Sequence, residues 1–390
     1  MNNIVNADTL ISESLHRLQH YIEKEAFKGY DPYDALKSPL FKLPVLKNNK
    51  IIRFGTQQLV KRFPLNLRPV LFIKKGLNPV TLGLAIQAYV AIGKAGQLSL
   101  DEVNNKCKPL IDQLVSLIPP GYHGACWGYD FDWESRYAKI PAYQPTIVAT
   151  GFITNALFKL YKLTGSKEAI DLCTSACEFI YNDINHFEAP DGSVCFSYSP
   201  FDKIQVFNAS MKGVRLLSQV YSVNNDKKLA ILAKKGASFV AGHQQNDGSW
   251  KYAALNKGEW IDNYHTGYVL DCFDEYQKCC NDNSYDQQIK NGYEFYLNSF
   301  FENGEIPKFF NNNTFPIDCT SAGQSILTLI RFGNIETAKK VALYTIKNMQ
   351  HNSGYFYFRK YQYFTEKHSF MRWSNAWMFA ALAELQSSIR

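Results

Sequence analysis

The chain has 390 residues, of which 46% are hydrophobic and 20% charged, with a net charge of +7 and nine cysteines. That balance describes a globular chain with a large core, and it excludes disordered, collagenous and disulfide-framework classes. The acidic, amphipathic N-terminus is no signal peptide, no apolar run reaches membrane-spanning length, and the scattered lysines form neither a basic stripe nor a nucleic-acid-binding module, so a soluble, reducing, cytoplasmic setting is expected.

The first predicted helix runs from Ala7 to Glu25, with Leu10, Ile11, Leu15, Leu18 and Ile22 on one face. A stretch rich in proline and aromatics follows from Gly29 to Pro44, too long to be idle in a compact protein. A second helix is expected around Thr56 to Arg62. Beyond Gly76 a unit of roughly fifty to sixty residues repeats as helix, short turn, helix and glycine/aromatic loop. First helices begin near Pro79, Pro145, Gln205, Asp262, Pro316 and Phe370, and second helices near Leu100, Ser166, Asp226, Ser284 and Ile335. The sixth pair lacks its second helix, which the N-terminal helix can supply. The loops at 123–129, 190–196, 246–252 and 352–357 each place a turn glycine before alternating aromatics, the mark of a short β excursion. An open array would need polar caps at both ends, and the C-terminal helix Trp377–Leu385 is too apolar to be one. The pattern therefore predicts an all-α (α/α)6 toroid, a six-hairpin barrel, as a single domain over 1–390, with residues 1–76 as a closing helix plus an irregular segment.

Aromatics reach 15%, with 24 Tyr and 27 Phe. Rings stack on sugars and line apolar pockets, so this load favours a binding cavity over a plain bundle. In an up-down ring the six inner helices start at the same end, where their partial positive charge favours an anion. The starts deliver Tyr143 and Gln144, then Asn208, then Asp262, Asn263, Tyr264 and His265, then Asp318 and Gln324, and last Arg372, Trp373 and Asn375. The loop from Trp127 to Arg136 is expected over the same rim. Paired carboxylates suit glycoside chemistry, so Asp132 or Glu134 with Asp262 are the acid/base candidates and His265 assists. Trp127, Trp133 and Trp373 can stack on a sugar while Arg136 and Arg372 grip a carboxylate. The plainer alternatives are that Asp262 and Asp318 are helix caps, Trp373 is core, and Arg136 pairs with Glu134.

Asp318, Cys319 and His265 are zinc-ligand types, and Tyr264-His265-Thr266 is similar to the zinc-histidine helix of protein prenyltransferase β subunits. The Asp and Cys are adjacent here, about 100° apart on a helix, and follow the His instead of preceding it. No metal and no cofactor are expected.

Taken together, Gly29-Tyr30-Asp31-Pro32-Tyr33-Asp34, Trp127-Gly128-Tyr129 with Phe131-Asp132-Trp133 and Ser135-Arg136, Pro145-Thr146-Ile147-Val148, Asp262 to Gly267, and Met371-Arg372-Trp373 with Ala376-Trp377-Met378 resemble a family of bacterial toroid proteins encoded in exopolysaccharide and capsule biosynthesis clusters. Asp130 departs from that pattern, where proline is expected. The family is distantly similar to the helical domain of glucuronyl C5-epimerases. The resemblance implies a protein that acts on an acidic glycan or its precursor, epimerase-, lyase- or hydrolase-like, with other polysaccharide-assembly proteins as partners. A non-catalytic glycan-binding or assembly component is one alternative. An isoprenoid or lipid-linked-intermediate enzyme is another, against which stands the absence of Asp-rich diphosphate and protonation motifs.

Overall fold

The computed structural model describes residues 7–134, 139–254 and 258–389. Helix α1 (Ala7–Lys24) buries Ile11, Leu15, Leu18 and Ile22 along one stripe. The chain then crosses one end of the molecule through two single turns (Asp34–Lys37 and Pro39–Lys42), α2 (Pro44–Asn48) and α3 (Lys50–Arg62). Helix α3 starts at Lys50 instead of Thr56 because Asn49 caps it, accepting from the N–H groups of Ile51 and Ile52.

From Pro79 onward two kinds of helix alternate: α4 (Pro79–Lys94) and α5 (Leu100–Ser116), α6 (Ile147–Thr164) and α7 (Lys167–Asn182), α8 (Phe207–Asn224) and α9 (Lys227–Gly242), α10 (Asn263–Cys280) and α11 (Asp286–Phe300), α12 (Cys319–Arg331) and α13 (Ile335–Met349), then α14 (Trp377–Ser388). The difference is written in their composition. Helix α4 buries every residue from Pro79 to Ile92, whereas α5 buries only a stripe of Val103, Cys107, Leu110, Ile111 and Leu114. A helix apolar on all sides must sit inside, and one with a single apolar stripe can face water. The even-numbered helices accordingly pack in the order α4, α6, α8, α10, α12, α14, and α14 returns to α4 to close a ring. Helix α1 packs against α14 and α13, in the outer position that the sixth hairpin lacks.

Left-handed residues end α6, α8 and α10 at Gly165, Asn225 and Asn281, which keeps the inner-to-outer turns short. The long connections all run from outer to inner helices and gather at the N-terminal ends of the inner ring. They hold the β excursions: Trp133–Glu134 with Lys139–Ile140, His186–Glu188 with Val194–Phe196, Phe301–Glu302 with Ile306–Pro307, and a three-stranded group of Ile317–Asp318, Tyr357–Lys360 and Thr365–Ser369.

These loops also seal the seams between hairpins. The indole N–H groups of Trp127 and Trp250 donate to the carbonyls of Leu114 and Val240, in the last turns of α5 and α9. Gly248 (φ +88°) and Gly354 (φ +104°) come so close to the next outer helix that a Cβ would lie 2.3 Å from the carbonyl oxygen of Asn291 or of Arg17. Alanine at Gly354 is expected to cost roughly 1–3 kcal/mol through backbone strain plus this clash. Alanine at Gly96 (φ +71°), with open space around it, should cost less; equal losses in denaturant titrations would refute the seam.

Candidate functional site

The N-terminal ends of the inner ring are closed by the chain's own side chains. Asn78 caps α4, Thr146 caps α6, Asp262 caps α10 and Asp318 caps α12. Helix α14 is preceded by a widened π-type turn, Met371–Ala376, which carries Arg372 and Trp373. A continuous layer of rings joins these starts. Trp133 meets Tyr33 at 6.4 Å between centroids, Tyr33 meets Trp373 at 5.9 Å, Trp373 meets Tyr264 at 5.8 Å, and Tyr264 meets His265 at 4.3 Å. Tyr33 belongs to the N-terminal segment, which therefore lies across this mouth of the barrel.

Asp262 and His265 form a dyad within the layer. One Asp262 carboxylate oxygen accepts from His265 Nδ1 at 2.6 Å and from the indole of Trp260 at 3.0 Å, while the other accepts the His265 backbone N–H at 3.0 Å. With Asp262 only 2% exposed, its carboxylate is committed to capping and to orienting the imidazole. Nδ1 is thereby held as the donor, and proton exchange with any ligand falls to Nε2. Tyr252 packs on the imidazole at 4.7 Å and stacks on Trp260 at 4.4 Å. Burial, with Asp262 nearby, pushes the Tyr252 hydroxyl well above its ordinary pKa, so it stays a neutral hydrogen-bond donor. The space beside His265 is about 10 Å³, the room of about one water. The dyad is preorganised, with Asp262 buried and the imidazole partly exposed.

The other expected site residues divide into three groups. Arg372, Asp318 and Glu134 are paired within the protein. Arg372 makes a bidentate bridge to Asp31 at 2.7 and 2.9 Å and lies over the rings of Tyr129 and Trp373, each 4.8 Å away. Burial works against its charge, but Asp31 outweighs burial and holds the guanidinium above its usual pKa. Arg372 thus ties the N-terminal segment to the sixth helix start and is not free to grip a ligand carboxylate. Asp318, fully buried, accepts from Arg359 at 2.6 Å, and Glu134, also buried, accepts from Arg53 at 2.7 Å. Arg136, the expected partner of Glu134, lies outside the described residues.

A second group is structural. Trp127 is fully buried against α5 and has no face to offer a sugar. Asn263 accepts from Tyr296 and Ser325, and Asn375 accepts the Phe356 N–H. Gln324 sits deeper in the barrel and donates to Asp271 at 2.7 Å, because its place in the second turn of α12 carries it past the mouth. Cys319 points its sulfur toward the Ser374 carbonyl, away from the Asp318–Arg359 pair, so these two do not converge on one point.

The third group borders open space. Tyr143 is exposed with φ +62°, and Gln144 accepts from Tyr122 at 2.6 Å. Asn208 is buried beside His265 with its amide nitrogen unpartnered among the described residues. Asp132 accepts the Ala142 N–H at 2.9 Å and lines a groove of about 400 Å³ shared with Lys37, Lys42, Lys47, Lys74 and Lys139. Lys37 is paired with Asp130, which also accepts from Asn78, so Asp130 anchors the segment over the mouth.

Residues essential to this arrangement are absent from the expected set: Asp31 and Tyr33 in the N-terminal segment, Tyr252 and Trp260 over His265, and Arg359 opposite Asp318. The alternating aromatics after Gly248 carry a signal for Tyr252. Nothing local marks Arg359, whose strand pairs with the start of α12.

No protein-family model and no curated sequence matches the chain. Among solved structures, a cellobiose 2-epimerase from Bacillus thermoamylovorans superposes with a TM-score of 0.59 at 12% identity, over 80% of this chain and 90% of that one. An unsaturated glucuronyl hydrolase specific for heparin gives a TM-score of 0.62 at 12% identity, over 98% and 96%. This chain is an (α/α)6 toroid. A family 76 α-mannanase from Bacteroides thetaiotaomicron matches the same fold with a TM-score of 0.57 at 13% identity, over 79% and 85%.

Replacing Arg372 with Met leaves Asp31 as a buried, unpaired carboxylate and is expected to cost about 3–5 kcal/mol. Asp31→Asn combined with Arg372→Met should cost clearly less than the two single losses summed. Additive losses in a double-mutant cycle would show that the pair is not what holds the segment.

Proposed function

We propose that this toroid acts on an acidic bacterial glycan or its precursor, of the kind made in exopolysaccharide or capsule biosynthesis, by epimerase-, lyase- or hydrolase-like chemistry. The observation that carries the reading is the Asp262–His265 dyad, set within rings at the end where all the long loops gather. His265 Nε2 is the acid/base atom, and Asp262 is the positioning residue that fixes its tautomer. Trp260, exposed beside the dyad, supplies a face for a sugar. The basic groove beside Asp132 suits the negative charge of the glycan. The sugar-processing activities of fold neighbours, an epimerase and two hydrolases by name, support the same class of substrate. Asp132 is the remaining candidate for a second proton-transfer group, since Glu134 and Asp318 are neutralised by Arg53 and Arg359.

The internal pairing of those carboxylates favours a second reading, a non-catalytic glycan-binding or assembly component working with other polysaccharide-assembly proteins. Incubation with glucuronate-containing oligosaccharides in D2O separates the two. Epimerase chemistry incorporates deuterium at carbon, and cleavage releases new chain ends. His265→Ala and Asp262→Asn should each lower turnover by about 10²-fold or more, with melting temperatures close to the parent. Lost stability with unchanged turnover sinks the assignment of the dyad; binding without turnover in the parent chain selects the second reading. Trp260→Ala, which uncovers the imidazole, is expected to change KM more than melting temperature.

A further inference from the structure

The other end of the barrel is open where the mouth is closed. A cavity of about 560 Å³ runs down the axis from Phe152, Lys212, Tyr268 and Trp377 to Lys94, Lys162 and Lys278 at the C-terminal ends of the inner helices. From Tyr268 to Lys278 along α10 it is about 15 Å deep. Its volume lies within the range of about 300–1,000 Å³ typical of small-molecule sites.

The walls carry charge on helices that are otherwise apolar, and the anions there are already used. Asp271 accepts from Gln324 and Thr328, Glu275 accepts from Arg331 and Gln219, and Glu384 accepts from Lys159. Burial opposes ionisation of Glu275, but Arg331 and Gln219 prevail and hold its pKa down to about 2. Four cations are left without an ion-pair partner among the described residues: Lys94, Lys162, Lys212 and Arg215.

Two of these are buried. Lys212 is 1% exposed, and its Nζ has no hydrogen-bond partner among the described residues; it rests between the rings of Phe152 and Tyr268, 3.8 and 3.9 Å from their centroids. Burial, with Arg215 adding repulsion, pushes its pKa down to about 7. Arg215 is 5% exposed; it donates from Nη2 to the Gly151 carbonyl at 2.8 Å while its Nε stays unpartnered. Two adjacent buried cations, one turn apart on α8, are costly without counter-charge, and the carboxylates nearest them, Asp271 and Glu275, are engaged by Gln324, Thr328, Arg331 and Gln219.

We propose that this axial cavity is a second ligand site, distinct from the dyad, for a compact polyanion of the phosphate class, held by Lys212 and Arg215 at its floor with Lys94 and Lys162 at its rim. Two or more negative charges in a small volume match the cavity's excess of positive charge, and the donors suit phosphate oxygens.

The test is calorimetric titration of the full chain with inorganic pyrophosphate at neutral pH. The parent chain binds it. Lys212→Met, which removes an unpaired buried charge at similar volume, weakens binding at least tenfold, as does the exposed rim variant Lys94→Ser/Lys162→Ser, whose fold is not in question. His265→Ala, at the opposite end, leaves the affinity unchanged. Absence of binding by the parent, affinity in the floor and rim variants equal to the parent's, or a matching loss in His265→Ala overturns the proposal. Glucuronate binding as tightly as pyrophosphate overturns the phosphate assignment.

Discussion

The inner ring imposes the condition that governs the rest of the protein. Six helices bury most of their circumference against one another, so a polar side chain on them has little access to water and is held by partners across the barrel. The Asp271–Gln324–Thr328 cluster and the Glu275–Arg331–Gln219 cluster are that condition met. Lys212 Nζ and Arg215 Nε are among the groups for which it is not met, and they are the ones the proposed axial ligand would satisfy.

The same condition shapes the mouth. Helix caps need acceptors, and Asp262 and Asp318 supply them, yet a carboxylate there keeps one oxygen to spare. At Asp318 the spare oxygen is neutralised by Arg359; at Asp262 it turns an imidazole. Two helix starts that look alike thus differ in chemistry because only one has a guanidinium above it.

Much of the fold was legible in the sequence. The helix starts at Leu100 and Ile335 and near Ser166 and Asp226, and the strongly apolar character of α14, are local properties, and local rules found them. The site was legible only in part. That Asp262 and His265 belong together follows from their spacing on one helix. That Arg372 belongs to Asp31, 341 positions away, does not. The residue types are those of charged groups brought to one end of the barrel, but their pairing is decided by ring closure, which no window of sequence contains. Trp127 shows the converse: an aromatic in a glycine-rich loop looks like a ligand platform until its indole is traced to the end of α5. Lys212, Arg215 and Gln219 recur at helical spacing on the apolar helix α8, and that face was a readable sign of the axial cavity.

The position of α1 has a consequence for how the molecule comes into being. Of the described helices it is made before all the others, and α14, on which it packs, after them. Its stripe of Ile11, Leu15, Leu18 and Ile22 stays without that surface until α14 has been made, and the Asp31–Arg372 pair cannot form before Arg372 is added. Contacts so remote in sequence are slow to close and leave apolar surface open to aggregation meanwhile. The ring is therefore shut late, when α14 meets both α4 and the waiting α1.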